Sequence, residues 1–230
     1  MNRLTLIPFA LRLEDNQLVD VSAVEKGIQC GCICPSCKTT LIARKGEVNE
    51  WHFAHASRGA SESTENGCEF SLWVSVTLMA KQIIYAANSI NLPSLKMAKY
   101  SGGYREEIPI AKQQIVNINK VELERRVSEV YADAVLSIGE YFIAVIFATP
   151  QRKLADTEYA KMDNIGVLEI SLAEADIWLF SRKINGEYSK VISQYVIDEV
   201  KNKRWLHHPR RKILEEQYRT KFLSLPSSTW

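Results

Sequence analysis

Hydrophobic and polar positions follow different patterns along this chain, and the differences predict its secondary structure. The first thirty residues are typical of a β-hairpin, with a turn at Asp15 and Asn16 between two extended stretches. Residues 70–87 contain no glycine or proline and repeat apolar side chains on one face, which predicts a helix. Beyond residue 106 short apolar and alternating runs predominate and predict β-strands. The run at 141–148 is almost wholly apolar, as expected of a buried strand.

These elements divide the chain into three stretches. Residues 1–90 combine the hairpin, a stretch rich in cysteine and histidine, and the helix, and they predict a small N-terminal module. Residues 91–105 contain a proline and a glycine pair and predict a linker. Residues 106–230 hold the predicted strands and a basic helical segment near the end. We therefore expect an α/β (α+β) protein in which a small metal-binding module precedes a mixed-sheet domain.

Composition narrows the class of protein. The chain has 230 residues, of which 46% are hydrophobic and 24% charged, as in soluble globular proteins. Its 29 basic and 27 acidic side chains give a net charge of +2, so the overall charge indicates no partner. No apolar run reaches the roughly 18 residues of a membrane helix, and the N-terminus lacks the apolar segment of a signal peptide. We therefore expect a cytoplasmic protein without a membrane partner.

The cysteines and histidines indicate a metal site. Without a signal peptide, a CxxC motif is more typical of metal binding or redox chemistry than of a disulfide. Cys34-Pro-Ser-Cys37 is followed by His52-Phe-Ala-His55, with a predicted hairpin between them. Two such ligand pairs suit the tetrahedral coordination of Zn²⁺. We predict a structural zinc site formed by Cys34, Cys37, His52 and His55, with Cys68 as an alternative ligand.

Other roles for these side chains stay open. Cys30 and Cys32 are close enough in sequence to reach the same ion. The cysteines could also be free buried thiols, with both histidines satisfied by hydrogen bonds. A redox role would need the βαβ context of thioredoxin-like proteins, which the surrounding sequence does not predict. Because protein side chains fill all four predicted positions, the zinc site would be structural rather than catalytic.

The order of these motifs resembles the competence protein CoiA-like family. The resemblance begins with Cys-Pro-Ser-Cys, continues through Leu-Ile-Ala-Arg-Lys-Gly and Trp-His-Phe-Ala-His, and includes a later cysteine. In the second half, Val121-Glu-Leu-Glu124, Tyr131-Ala-Asp133 and a strand ending in Ala-Thr resemble the PD-(D/E)XK restriction-endonuclease-like core of that family. The resemblance implies a mixed-sheet nuclease fold at 106–230 that acts on DNA with Mg²⁺.

The residues expected to carry nuclease chemistry are only partly present. This fold needs two carboxylates to hold Mg²⁺ and usually a lysine or glutamine to orient water. Asp133 matches the first acid of the family motif. A hairpin centred near residue 139 would place residue 145, the position of the second acid, opposite Asp133. The chain has Val145 there and Phe147 where lysine or glutamine is expected, so the catalytic motif is predicted to be degenerate.

A rebuilt centre is the alternative. Glu124 matches an upstream acid of the family and could approach Asp133 from the neighbouring strand. Gln151 or Lys153, just beyond the apolar strand, could then orient the attacking water. In an inactive centre, Asp133 would instead serve as a cap or a salt-bridge partner.

A basic segment near the C-terminus is the predicted nucleic-acid-binding surface. Residues 201–221 carry eight basic and two acidic side chains, with a tryptophan and two histidines among them. Such a segment could follow a phosphate backbone and stack on bases, or its charges could simply be solvated. The candidate binding residues are Lys203, Arg204, Arg210, Arg211 and Lys212.

Three functions follow from these patterns. The protein could be a degenerate CoiA-like member that binds DNA or a protein partner as a subunit in DNA transfer or phage defence. It could instead be an active Mg²⁺-dependent endonuclease that uses Glu124 and Asp133. The third function is a scaffold that binds no nucleic acid.

Overall fold

The chain folds into two compact units, each assembled from separate stretches of sequence. The computed structural model describes residues 6–56, 68, 71–101, 104–128, 130–152, 164–180 and 186–223, so the predicted water-orienting Lys153 lies outside the described residues. Unit 1 comprises Met1–Ala86, Phe147–Lys153 and Ser171–Asp198. Unit 2 comprises Ala87–Ile146, Leu154–Ile170 and Glu199–Trp230. This division differs from the contiguous modules expected from the sequence.

Unit 1 begins with small antiparallel sheets. Strand β1 (Phe9–Arg12) lies between β2 (Leu18–Asp20) and β3 (Cys32–Ile33), and β4 (Leu41–Arg44) pairs with β5 (His52–His55). Short 3₁₀ helices cover Val21–Ala23 and Ile28–Cys30. The β1–β2 hairpin confirms the predicted turn, where Asp15 accepts a hydrogen bond from the backbone of Gln17 and Asn16 has a φ of 55°.

The helices of unit 1 come from two distant parts of the chain. They are α1 (Ser71–Tyr85), α2 (Ala175–Phe180) and α3 (Tyr188–Ser193), and α3 continues into a π-helical turn at Gln194–Asp198. Helix α1 confirms the helix predicted at 70–87. It buries Leu72, Val76, Ala80 and Ile84 at four-residue spacing, and Met79 three residues after Val76, so these side chains share one helical face.

Hydrogen bonds around Asp20 join the β2 region to the first turn of α3 and the residue before it. One carboxylate oxygen of Asp20 accepts from the backbone N–H of Ser22 at 2.9 Å, and the other accepts from that of Ser189 at 2.8 Å. The Ser22 hydroxyl accepts from the Glu187 backbone N–H at 3.2 Å. Gly186 has a φ of +82°, and a Cβ there would lie 2.5 Å from the Cβ of Ser22. Only glycine permits this close approach.

Tyr188 makes a second link within unit 1. Its ring is fully buried, and its hydroxyl donates to the backbone carbonyl of Trp51 at 2.8 Å. Burial raises the pKa of the Tyr188 phenol, so it remains a neutral donor. The segment 171–198 is therefore part of the fold that holds the cysteine- and histidine-rich stretch, which sequence order alone did not indicate.

Unit 2 contains most of the β-structure. Two antiparallel pairs join β6 (Ser89–Leu92) with β9 (Gln114–Asn117) and β7 (Leu95–Ser101) with β8 (Tyr104–Ala111). A five-stranded sheet follows, with the order β10 (Lys120–Val127), β11 (Val130–Ile138), β12 (Tyr141–Ala148), β13 (Ile165–Ser171) and β14 (Lys203–His207). The last residues of β12 and β13 belong to unit 1. The chain then forms α4 (Pro209–Leu223).

The expected linker at 91–105 contains paired strands. It includes the end of β6, all of β7 and the start of β8. Pro93 falls between β6 and β7, and the glycine pair falls between β7 and β8, so these residues separate short strands. Proline and glycine mark local breaks in regular structure, and the same residues suit a tight connection and a long linker.

The basic segment is also divided differently from the expected helix. Lys203–His207 forms an edge strand of the five-stranded sheet, and α4 begins only at Pro209. A proline suits the first position of a helix because its missing N–H has no helical partner there. Apolar side chains of the sheet form a buried cluster in unit 2: Val130, Ala132, Val135, Ala144, Ile146 and Val167.

The architecture confirms the expected mixed α/β class, with several small sheets and a Cys/His cluster in the N-terminal region. Within the described part of the chain, no helix combines the length and apolar character needed to cross a bilayer.

Candidate metal centre

Four side chains of unit 1 converge on one point. They are Cys34, Cys37, His55 and Cys68, and their ligand atoms all lie within 4.8 Å of one another. The Nε2 atom of His55 lies 3.3 Å from the sulfur of Cys37 and 3.2 Å from that of Cys68. Zinc sites with Zn–S bonds of about 2.3 Å place neighbouring ligand atoms roughly 3.5–3.8 Å apart. The two His55 distances are a few tenths of an ångström shorter than this, so the cluster has about the size of a Zn²⁺ site.

A tight turn aims the first two cysteines at the cluster. The backbone N–H of Lys38 donates to the carbonyl of Cys34 at 2.9 Å, and Lys38 has a φ of 63°. The chain therefore turns back directly after Cys37, and the N–H of Cys34 donates to the carbonyl of Thr39 at 2.8 Å. Such a turn presents two side chains separated by two residues to a single ion.

The β4–β5 hairpin determines which histidine joins them. His55 lies opposite Leu41, the residue at which β4 begins after the cysteine turn. His52 lies opposite Arg44, at the other end of β4. Residues three apart on a strand are about 10 Å apart and face opposite sides. His52 is therefore outside the cluster, and its Nδ1 lies 2.8 Å from the carbonyl of Glu50. The predicted set of Cys34, Cys37, His52 and His55 is not brought together, because strand alternation separates the histidines.

Cys68 occupies the fourth position in place of His52. It lies three residues before the start of α1, and its carbonyl accepts a hydrogen bond of 2.9 Å from the hydroxyl of Ser71. The sequence offered Cys68 only as an alternative ligand, since the loop before it gives no geometric information. The three-residue spacing of His52 and His55 could have indicated that only one of them joins the cluster, because a strand cannot direct both rings to one side.

Cys30 and Cys32 also lie outside the cluster. The thiol of Cys30 donates to the carbonyl of Leu41 at 3.3 Å, and that of Cys32 donates to the carbonyl of Cys30 at 3.1 Å. Burial raises the pKa of Cys32 to about 12. The Cys32 thiol is therefore neutral, and both thiols donate hydrogen bonds to backbone carbonyls outside the cluster.

The environment of the four clustered side chains suits a soft divalent cation. Burial raises the pKa of Cys34, and burial together with the hydrogen bond that the Cys68 thiol donates to Cys37 raises that of Cys68. Burial acts in the same direction on Cys37, but its hydrogen bonds with Cys68 and Thr39 outweigh burial and lower the pKa of the Cys37 thiol. Burial lowers the pKa of His55, which keeps the ring neutral and able to bind a metal. Zinc would favour the thiolates, so its binding would release protons.

The expected nuclease positions in unit 2 do not converge in this way. The hairpin between β11 and β12 turns through two residues, and Gly139 has a φ of +59°. Val145 therefore lies opposite Ala134, one residue out of the predicted register with Asp133. Val145 and both of its neighbours are fully buried, as is Phe147. Neither register supplies a second acid from β12.

Glu124 and Asp133 lie at facing positions of the other hairpin. In the β10–β11 ladder, Leu123 pairs with Ala134 and Arg125 pairs with Ala132, so Glu124 and Asp133 hold the opposed positions between them. Glu124 has a φ of 53° and is exposed, whereas Asp133 is 2% exposed. Among the described residues, only the Cys/His cluster gathers three or more ligand side chains. The arrangement therefore gives no support to a Mg²⁺ site.

The five predicted nucleic-acid-binding residues have different environments. Lys203 is 6% exposed and donates its Nζ to the carbonyl of Asn91, so it helps to hold the fold. Arg204 pairs with Glu169 at 2.8 Å, and Arg211 pairs with Glu215 at 3.0 Å. Arg210 and Lys212 are exposed on the first turn of α4.

Comparison with known proteins relates one part of the chain to a family. Residues 19–63 match the family model of the competence protein CoiA N-terminal domain. No curated protein and no solved structure matches the chain. The matched stretch contains Cys34, Cys37 and His55 of the cluster, and Cys68 follows it by five residues. This part of the chain is similar to the N-terminal domain of CoiA, a competence protein.

Proposed function

We propose that this chain is a CoiA-like, competence-related protein in which a zinc-stabilised unit accompanies a nuclease-type domain reused for binding DNA. The match of residues 19–63 to the CoiA N-terminal domain carries this proposal, because that stretch holds three of the four clustered side chains. Three cysteines and one histidine form a closed ligand set that leaves no position for a substrate. The metal would therefore stabilise the fold.

The proposed loss of nuclease activity rests on the buried side chains of β12. Val145 and Phe147 stand where the resemblance requires an acid and a lysine or glutamine, and both are fully buried. A valine cannot bind Mg²⁺, and a phenylalanine cannot orient water. The second unit would then act by binding DNA or a protein partner within a larger assembly for DNA transfer or phage defence.

An active endonuclease is the second candidate, and one observation favours it. Glu124 and Asp133 occupy opposed positions on neighbouring strands. Two such carboxylates are the minimum for a Mg²⁺ site, and the positive φ of Glu124 marks a local irregularity of the kind often found near functional sites.

A cleavage and binding experiment separates the two candidates. Labelled single-stranded and duplex DNA would be incubated with the full chain and Mg²⁺ or Mn²⁺, beside the variants Asp133→Asn and Glu124→Gln. The matched control is Glu122→Gln, which removes a carboxylate of the same strand that pairs with Lys120 at 3.1 Å. We expect DNA binding without cleavage.

Cleavage that Asp133→Asn and Glu124→Gln abolish and Glu122→Gln retains would contradict the degenerate centre and establish the endonuclease. Absence of both cleavage and binding, in a protein that retains zinc, would exclude DNA as the ligand of either candidate and leave a protein partner or the scaffold.

A further inference from the structure

Unit 2 contains a cavity that the metal centre and the nuclease positions do not explain. It has a volume of about 520 Å³, within the range of pockets that hold small organic groups. Its apolar wall comes from several strands and includes Leu92, Ile110, Val116, Ile138 and Ile143.

Aromatic side chains give the cavity a particular character. Trp205 lines it and is held by a hydrogen bond of 2.9 Å from its indole N–H to the carbonyl of Pro93. Its ring lies so close to Gly166 that a Cβ there would be 2.9 Å from a ring carbon. His208 packs edge-on against Trp205, with ring centroids 4.8 Å apart. At the edge of the cavity, Tyr141 is 69% exposed, so its ring is available to a ligand.

The charged side chains of the cavity have one sign. Lys112 and Arg210 line it, both are exposed, and neither forms an ion pair with a described residue. No carboxylate lies among the described residues that line the cavity. His208 is uncharged at neutral pH, because burial and the nearby Arg210 lower its pKa to about 4. The cavity therefore combines apolar and aromatic surfaces with two exposed cations among its lining residues.

We propose that this cavity binds one unpaired nucleotide of a single strand, with the base among Tyr141, Trp205 and the apolar wall and the phosphates on Lys112 and Arg210. Aromatic surfaces stack on any base, and unpaired cations attract the phosphate backbone. A base must leave a duplex before it can enter a cavity, so single strands bind in preference. This inference rests on the proposed function of binding DNA and names the form of DNA that is bound.

The test measures binding of labelled DNA of about 20 nucleotides by fluorescence anisotropy, with single-stranded and duplex forms compared across a range of salt concentrations. The cavity variants are Tyr141→Ala and the double substitution of Lys112→Gln with Arg210→Gln. Their matched controls are Tyr104→Ala, an 82% exposed tyrosine of the same unit, and Arg105→Gln, an exposed arginine of β8 paired with Glu107. Neither Tyr104 nor Arg105 lines the cavity.

We expect Tyr141→Ala to weaken single-strand binding about tenfold and to leave duplex binding unchanged. The double substitution should weaken it further and lower the salt slope of the single-strand binding constant by about 1 for each cation removed. Both control variants should bind as the unaltered chain does. Photocrosslinking of a single strand that carries 5-iodouracil should label peptides that contain Tyr141 or Trp205.

Other outcomes would overturn the proposal in distinguishable ways. Unchanged single-strand binding by the cavity variants, with crosslinks elsewhere, would exclude the cavity and leave the proposed DNA binding intact. Absence of any DNA binding would overturn the proposed function together with this inference. Saturable binding of mononucleotides without binding of the oligonucleotide would exclude a polymer ligand.

Discussion

The Cys/His cluster of unit 1 and the acidic positions of β10 and β11 differ in how their side chains are supported. In the cluster, a turn, a hairpin and the start of a helix each direct a ligand to one point. In the sheet, a buried Asp133 stands opposite an exposed Glu124, and β12 adds only apolar side chains. Convergence from several independent elements is what distinguishes a site that can hold an ion from a resemblance in residue order.

The two histidines within β5 make the same point on a smaller scale. His52 and His55 have the same chemistry and lie three residues apart, but only His55 reaches the sulfur atoms. The predictions below test this contrast between converging and isolated ligands, from the largest expected effect to the smallest.

Removal of a clustered cysteine should have the largest effect. We expect Cys37→Ser to lose zinc and to destabilise unit 1 by several kcal/mol, because structural zinc contributes about 10–16 kcal/mol of apparent binding energy in small zinc-binding folds. The zinc content by mass spectrometry and the thermal unfolding midpoint provide the measurement. Cys30→Ser is the matched control, since this buried thiol donates to a carbonyl outside the cluster. Retention of zinc by Cys37→Ser would show that the cluster is not the metal site.

Substitution of the two histidines of β5 should have different effects on the affinity for zinc. His55→Gln should lower the affinity for zinc at least tenfold, because it removes a direct ligand, whereas His52→Gln should leave the affinity unchanged. Competition with a chromogenic chelator measures both affinities. If His52→Gln caused the larger loss, the ligand set of Cys34, Cys37, His55 and Cys68 would be incorrect.

Gly186 tests the part of unit 1 that comes from the distant segment. Gly186→Ala should lower the free energy of unfolding by about 2–4 kcal/mol, since it adds a strained positive φ and a clash with Ser22. Gly31→Ala is the control, because Gly31 also has a positive φ of 60° but has open space around it, and it should cost about 1 kcal/mol. Equal costs in chemical denaturation would mean that the close approach to Ser22 contributes nothing.

Substitution of Asp133 tests whether the acidic positions of β10 and β11 hold a metal ion, as we expect the Cys/His cluster to do. Asp133→Asn should leave the zinc content unchanged and should cost about 1 kcal/mol of stability, in keeping with a buried polar side chain. Isothermal titration calorimetry with Mn²⁺ should give the same result for the unaltered chain and for Asp133→Asn, because we expect no saturable Mn²⁺ site at Asp133. A saturable Mn²⁺ site that depends on both Asp133 and Glu124 would show that two carboxylates suffice, which would remove the contrast with the cluster.

The smallest expected effect concerns pH. Burial and the nearby Arg210 lower the pKa of His208 to about 4 in the folded chain, below the value of about 6.5 expected when it is unfolded. The unfolded chain therefore binds the additional proton between these values, and stability should fall as pH decreases from about 6.5 to 4. His208→Gln should reduce this loss by about 1 kcal/mol after allowance for solvent screening. Unfolding curves at pH 7 and pH 5 measure the loss of stability in the variant and in the unaltered chain. An equal loss in both would contradict a lowered pKa of His208.

Much of the local structure could be predicted from the sequence. The β1–β2 hairpin, helix α1 and the apolar strand at β12 follow directly from turn residues and periodicity. The types of metal ligand and the apolar replacements at positions 145 and 147 are also evident without coordinates. These features depend on residues close together in the chain, where side-chain chemistry and backbone preference act directly.

Only the tertiary structure decided how distant residues combine. It placed Cys68 beside His55, brought 171–198 onto the first 86 residues and buried Lys203 against the strand before Pro93. It also gathered Trp205, Tyr141 and Arg210 around one cavity. A sequence pattern describes which face of an element a residue occupies, whereas the partner of that face depends on how separate elements pack. For this reason the types of metal-ligating side chain could be predicted from the sequence, whereas the particular residues that come together in one site could not.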